Sequence, residues 1–279
     1  MPEYPSAKAL IADAHLRMEL WPDPLGVIVV EGPDDNRLFQ RRVHHPAQII
    51  VAGGRRLLLA AFEITQPYDR DSILFITDCD YAVRRGDLSG GHGLAITAHT
   101  NVEADLLALG LLESVVQEIV PSVVGRQNPA RVSEAVLDMA RSLAVPLGRI
   151  RMAAEPLGVD LGFDSIDLSK YWFRKERTAD VAKLKRVISD KLNANGVSRL
   201  DWESRLADTP EDPDICNGKD LIRATRLILN YYYGLDREVT ETILTRMIRI
   251  AMTEDAFSRW PVVQRIRTWE VRTERVVLR

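Results

Sequence analysis

The sequence offers little that would mark a secreted, membrane-spanning or zinc-finger protein. Only two cysteines, Cys79 and Cys216, occur among 279 residues, so no disulfide framework is expected. Cys79 lies between two aspartates, where oxidation would disturb an acidic site, and a reducing compartment is the expected home. No Cys-x-x-Cys or His-Glu-x-x-His pattern occurs, and His44, His45, His92 and His99 lack ligand spacing, so they read as surface or loop histidines. A Gly-x-x-x-x-Gly-Lys-Ser/Thr loop is also missing, so ATP hydrolysis would have to come from another chain. No apolar run approaches the ~18 residues of a membrane span, and the opening MPEYPSAKALIADAHLRMEL has no basic-then-apolar signal pattern. The expectation is a cytoplasmic protein without a membrane partner. Charge of one sign is lacking too: 37 Lys and Arg against 40 Asp and Glu leave a net charge of -3. A polyanion would therefore be held by metal ions and local patches.

What is present is enough apolar material, 46% of residues, for one α/β core and a second, smaller unit. From Gly26 the pattern alternates: GVIVVEG, QIIVAGG and SILFITD are short apolar runs, and DDNRLFQRRV and RRLLLAAFEI between them read as helices. Such alternation predicts a parallel sheet with helical crossovers. YAVRRGDLSGGHG reads as an exposed loop, LAIT as a fourth short strand and NVEADLLALGLLESVV as a helix. Beyond Val120, VSEAVLDMARSL, TADVAKLKRVISDKL, KDLIRATRLILNYYY and VTETILTRMIRIAM carry helical spacing. GVDLGFDSIDLSKYWF has period-two features of a small hairpin, and ADTPEDPD is an acidic, proline-broken loop. The expected division is an α/β domain over 1–120 and a mainly helical C-terminal domain over 121–279.

Chemistry is to be sought where parallel strands end, because open α/β sheets place ligands at that edge. Glu31 closes the first strand, and Asp78 and Asp80 close the third. Side chains alternate along an extended segment, so the two aspartates share a face and Cys79 points the other way. Carboxylates grouped this way are costly unless a cation neutralises them, and hard oxygen donors suit Mg²⁺. Should the first and third strands be neighbours, about 4.8 Å apart, Glu31 would lie beside the pair as a ligand or proton carrier.

VIVVEGPDD, the strand VAGG and FITDCD together resemble the Toprim signature, a Glu-Gly after strand one and an Asp-x-Asp after strand three. The resemblance covers about the first 110 residues and is carried by short motifs in the right order. It implies a Toprim-like parallel sheet with flanking helices and an Mg²⁺-dependent (or Mn²⁺-dependent) nuclease acting on RNA, such as tRNA, or on DNA. HTNVEADLL and NGKDLI further resemble bacterial Toprim proteins encoded beside ATPases in antiphage defence operons. That implies a nucleic-acid substrate, an ATPase partner that restrains the protein, and the option of a homodimer. Carried onto this chain, Glu31 becomes the acid/base or metal-binding glutamate, Asp78 and Asp80 the Mg²⁺ ligands, Glu103 a fourth acidic metal group, and Lys219 a catalytic cation that would stabilise charge on the phosphate.

Each residue also has a plainer reading. Glu31-Gly32 could be a strand-end turn, Asp35 reads as a helix cap, and Thr100 with Glu103 matches a capping box. Gly53 and Gly54 read as a sharp turn. Trp172, Phe173, Arg174 and Lys175, with Arg177, Lys183, Lys185 and Arg186, combine aromatic and basic character that could track a nucleic-acid strand; a solvated helix face is the commoner meaning. Tyr231, Tyr232 and Tyr233 are expected at a helix end. Two other functions compete with the nuclease: a haloacid-dehalogenase-type phosphatase, because FITDCDYAV also looks like that family's nucleophile motif, and a Toprim-shaped module that only docks a partner.

Overall fold

A computed structural model describes residues 4–21, 24–65, 73–120, 127–159, 161–234 and 239–279. The chain divides into two compact units, Met1–Ala98 with Glu254–Arg279, and His99–Thr253. In order, the first unit supplies α1 (Ala7–Glu19), β1 (Val27–Val30), α2 (Pro33–Phe39), β2 (Ile49–Val51), α3 (Arg55–Thr65), β3 (Ile73–Thr77) and β4 (Leu94–Ile96). The second supplies α4 (Val102–Ala108), α5 (Leu112–Ile119), α6 (Pro129–Ala154), β5 (Trp172–Phe173), β6 (Thr178–Ala179), α7 (Val181–Ala194), α8 (Arg199–Asp208), α9 (Gly218–Tyr233) and α10 (Glu241–Ile250). The chain then re-enters the first unit as α11 (Glu254–Arg259) and α12 (Pro261–Thr273).

The alternating pattern becomes a four-stranded parallel sheet in the order β2-β1-β3-β4. Every residue of β1 and β3 is buried, which is why their sequences are apolar without alternation. Val27, Val29, Ile73 and Phe75 pack in one cluster with Leu10 and Ala14 of α1 and Leu58 and Ala61 of α3. Helix α12 packs against β3 and β4. The chain's last residues then close the amino-terminal edge of the sheet. Val276 accepts from Gly26 N at 3.0 Å and donates to Pro24 O at 2.8 Å, while Val277 O accepts from His44 N at 3.0 Å. Buried Gln48 donates to Gly26 O and Val276 O, and buried Glu270 accepts the N–H groups of Val277 and Leu278 at 2.7 Å each.

This division differs from the expected cut after residue 120. The α/β unit stops at Ala98, and its missing layer comes from 254–279, so the region after 120 is not one separate domain running to the end. The cause is the pairing of residues 24–26 and 42–44 with 276–279, a contact between distant segments that local periodicity does not report.

Within the second unit, α6 packs along α9 and against α5 and α8. Asp220, fully buried on α9, binds Arg151 of α6 at 2.7 Å and Arg223 at 3.2 Å, which neutralises its charge inside the helix packing. The single helix expected over NVEADLLALGLLESVV is two, α4 and α5, because Gly110 adopts a left-handed φ of 81° and ends the first. The expected hairpin over GVDLGFDSIDLSKYWF is mostly short 3-10 turns; among its described residues only Trp172–Phe173 forms a strand, paired with Thr178–Ala179 beyond that segment.

Candidate active site at the ends of the parallel strands

β1 and β3 are parallel neighbours with Val30 opposite Ile76, so the next residues, Glu31 and Thr77, also lie abreast. The ladder continues past the strand ends: Gly53 N donates to Glu31 O at 3.1 Å, and Thr97 N donates to Thr77 O at 3.1 Å. Glu31 is thereby held by its backbone to the β2 side and by its side chain to the β3 side. Its Oε1 accepts the hydroxyl of Thr77 and the backbone N–H of Asp78, the latter at 2.9 Å, and neither bond uses Oε2. The structure therefore brings Glu31 directly onto the first residue of the Asp-x-Asp segment.

That segment leaves the strand at once. Asp78 and Asp80 are half-buried, while Cys79 between them is buried in the sheet core with its N–H bound to Thr97 Oγ1 at 2.8 Å. The in-and-out alternation survives, but the extended backbone assumed for it does not: Asp80 has a φ of 43°, in the left-handed region. Its carboxylate is ion-paired with Arg55, the first residue of α3. Gly53 and Gly54, at φ 85° and 141°, make the sharp turn that delivers Arg55 there. Asp35 accepts the N–H of Gly32 at 2.9 Å, the capping role expected of it. A cavity of about 500 Å³ opens beside Cys79, Thr97, Arg265 and Arg272, and the three carboxylates do not line it.

Thr77, Thr97 and Arg55 were not expected to belong to this site. The threonines were indistinguishable from ordinary strand residues, and Arg55 looked like the exposed start of a helix; only the strand order makes them neighbours of the acids.

Among the described residues, no group of three or more His, Cys, Asp or Glu side chains stands in metal-ligating geometry. Mg²⁺ ordinarily takes one or two carboxylates and fills its remaining positions with water and substrate oxygens, so the Asp78 and Asp80 carboxylates with Glu31 Oε2 are a suitable donor set by type.

Glu103 and Lys219 belong to the second unit, where the two motifs HTNVE and NGKD meet each other. Asn101 caps α4 by accepting from Ala104 N at 3.1 Å, and the same Oδ1 accepts from Gly218 N at 3.1 Å. Thr100 donates its hydroxyl to Cys216 O. A Cβ on Gly218 would lie 2.1 Å from Asn101 Oδ1, so this junction requires glycine. The capping box of Thr100 and Glu103 does not form: Asn101 is the cap, and Glu103 pairs with Arg249 at 2.9 Å. Lys219 is exposed in the first turn of α9, its N–H bound by the cap Asn217 at 3.0 Å. His44, His45 and His92 are exposed as expected, whereas His99 binds the buried carboxylate of Asp105 at 2.8 Å and is a fixed part of the motif.

The fold and the strand-end acids define an open parallel α/β protein with an acidic edge. No family model matches this chain, and no curated protein matches it. Among the described residues, no helix is long and apolar enough to cross a membrane.

Proposed function

We propose that the first unit is a Toprim-type domain and that the protein is an Mg²⁺-dependent nuclease, with Mn²⁺ as a substitute, acting on phosphodiester bonds of RNA or DNA. The observation that carries this reading is the hydrogen bond from Asp78 N to the Glu31 carboxylate at 2.9 Å, which joins the acid of one strand end to the acid pair of its neighbour. Asp78 and Asp80 would hold the ion, Asp80 exchanging its pairing with Arg55 for the metal. When bound, Mg²⁺ supplies Lewis acidity to a phosphate oxygen and makes a coordinated water easier to deprotonate. Glu31, fixed in orientation by the Thr77 hydroxyl, receives the proton of the attacking water. Arg55 balances the charge of Asp80. Lys219 stays a candidate for stabilising phosphate charge, whereas the Glu103 carboxylate is engaged by Arg249 and is left out of the ligand set. On the same reading the protein is an antiphage effector controlled by an ATPase encoded nearby. That part is supported by the resemblance of HTNVEADLL and NGKDLI, whose residues join at Asn101 and Gly218.

The test is incubation of the purified protein with Mg²⁺ or Mn²⁺ and single-stranded RNA, structured RNA, single-stranded DNA or duplex DNA, beside a Glu31→Gln variant and a small phosphate ester. Metal-dependent cleavage that disappears in the variant is expected. Phosphate-ester turnover that survives Glu31→Gln would instead favour the phosphatase, and silence of every substrate, with and without the ATPase, would favour a docking module.

A further inference from the structure

The aromatic and basic run divides: Lys183, Lys185 and Arg186 lie exposed on helix α7, whereas Trp172 to Arg177 belong to a hairpin. Trp172 and Phe173 pair with Ala179 and Thr178 as a short antiparallel hairpin, and Arg174, Lys175, Glu176 and Arg177 form its exposed tip. Alternation along the strand sends Trp172 inward and Phe173 outward, at 7% and 48% exposure. Trp172 meets the end of α9 edge-on, with ring centroids 5.4 Å from Tyr231 and 5.8 Å from Tyr232. The two tyrosines stand at right angles to each other, 4.8 Å apart, and Tyr231 is half-exposed. Tyr232 Oη donates to Arg174 O at 2.7 Å, which fastens the helix end to the hairpin.

Cations cover these rings. Arg174 lies 4.8 Å from the Tyr231 ring centre, Arg177 5.3 Å from that of Tyr232, and Lys183 5.4 Å from that of Tyr171. Many arginines of this protein face a carboxylate, as Arg151, Arg223 and Arg249 do. Among the described residues, Arg174, Lys175, Arg177 and Lys183 form no ion pair, although Lys183 Nζ donates to Lys170 O at 3.0 Å, and Glu176 is the only acid in the tip.

From this arrangement we infer that the β5–β6 hairpin and the end of α9 form a docking surface for single-stranded nucleic acid. The half-exposed ring of Phe173 gives an unpaired base a face to stack on, the guanidinium planes over Tyr231 and Tyr232 offer further flat faces, and cations without a carboxylate partner serve the phosphates. A duplex hides its base faces, so the surface discriminates against it. The inference deepens the nuclease reading by naming its substrate class, and it rests on that reading only for the cleavage of a strand once docked.

The test is fluorescence anisotropy of labelled 20-nucleotide oligo(U) and oligo(dT) and of a labelled duplex, in EDTA so that no cleavage occurs. The full-length chain is expected to bind both single strands at least tenfold more tightly than the duplex. Its affinity should fall with salt at a logarithmic slope of about 3, from four phosphates at roughly 0.7 each. Phe173→Ala should weaken binding about fivefold with the slope unchanged. Lys175→Glu, at an exposed tip position, should weaken it about tenfold, and the triple change Arg174→Gln, Lys175→Gln, Arg177→Gln should lower the slope by about 2. Helical content by circular dichroism shows whether each variant is folded; should the triple variant not fold, Phe173→Ala and Lys175→Glu decide. Equal binding of duplex and single strand, no binding by the parent chain, or folded variants that bind like the parent would overturn the inference. Glu31→Gln should bind normally, so a failure of docking and a failure of the catalytic reading are told apart.

Discussion

The backbone N–H of Asp78 donates to the carboxylate of Glu31 at 2.9 Å, linking the ends of two neighbouring parallel strands. Glutamine keeps an oxygen able to accept that bond and the one from Thr77, but carries no charge. Glu31→Gln is therefore expected to retain its thermal midpoint within a few degrees while losing metal-dependent cleavage by about 100-fold or more, the usual scale for a proton-transfer group. Cleavage rates within tenfold of the parent would remove Glu31 from the chemistry.

Arg55 is bound to Asp80, and both side chains keep contact with solvent, at 21% and 33% exposure. Such a pair contributes about 0–1 kcal/mol, so Arg55→Ala should barely shift the urea midpoint. The variant removes a cation that competes for Asp80, and its half-saturating Mg²⁺ concentration should fall several-fold. Calorimetric titration with Mn²⁺ reads the same shift without relying on turnover; superimposable titrations for parent and variant would show that the pair does not tune metal affinity.

Asp220 has no solvent contact and is matched by Arg151 and Arg223. Replacing it with alanine removes the anion shared by two partly buried guanidinium groups, of which Arg151 keeps Asp164 at 3.3 Å and Arg223 keeps Glu241 at 3.8 Å, a change that costs about 1–3 kcal/mol. Urea unfolding of Asp220→Ala followed by circular dichroism should show that loss. A destabilisation under about 1 kcal/mol would mean that the arginines find water or other acceptors.

Burial pushes the Cys216 thiol up to about 12, with Asp220, Asp214 and Asp212 adding to the effect and Arg141 opposing it. The folded protein thus keeps a proton that the unfolded chain releases near the ordinary thiol value of 9.0. The resulting stabilisation is complete below pH 9 and declines as pH climbs toward 12. Tyr4, raised to about 12 mainly by burial and its bond to Asp13, acts with the same sign above its ordinary value of 10.0. The urea midpoint should consequently fall from pH 8.5 to pH 10.5, and less so in Cys216→Ala. Both thiols are buried, so a chromogenic disulfide reagent should react with neither until denaturant is added.

The sheet was legible in the sequence because its strands are buried on both faces, and VIVV and ILFIT therefore stand out as unbroken apolar runs. The same runs do not specify which strand lies next to which. The closeness of Glu31 to Asp78 was thus conditional on a β1–β3 pairing that only the fold supplies. Local rules also misplaced details: Thr100 and Glu103 satisfy the spacing of a capping box, but Thr100 is drawn to Cys216 O and Glu103 to Arg249, partners 116 and 146 positions away. The tyrosines of α9 could be assigned to a helix end, while their meeting with Trp172 could not, since nothing in either segment names the other.

The closing strand residues make a further prediction. Val277 and Leu278 are buried, and Gln48 and Glu270 are buried polar groups whose partners lie in 276–278. A chain stopped after Glu274 strands those polar atoms, each at about 1–3 kcal/mol. It should lose the native stability of the first unit and all cleavage, as read by limited proteolysis and activity. A truncated chain with parental protease resistance would contradict this.

On the ribosome, the segment bearing Glu31, Asp78 and Asp80 emerges well before 276–279, the residues it needs for closure, whereas His99–Thr253 is complete earlier. Translation order therefore places closure of the sheet that carries these acids after residues 99–253 have emerged. A chain terminated before Val276 would carry the three acids on a sheet that lacks its closing backbone bonds.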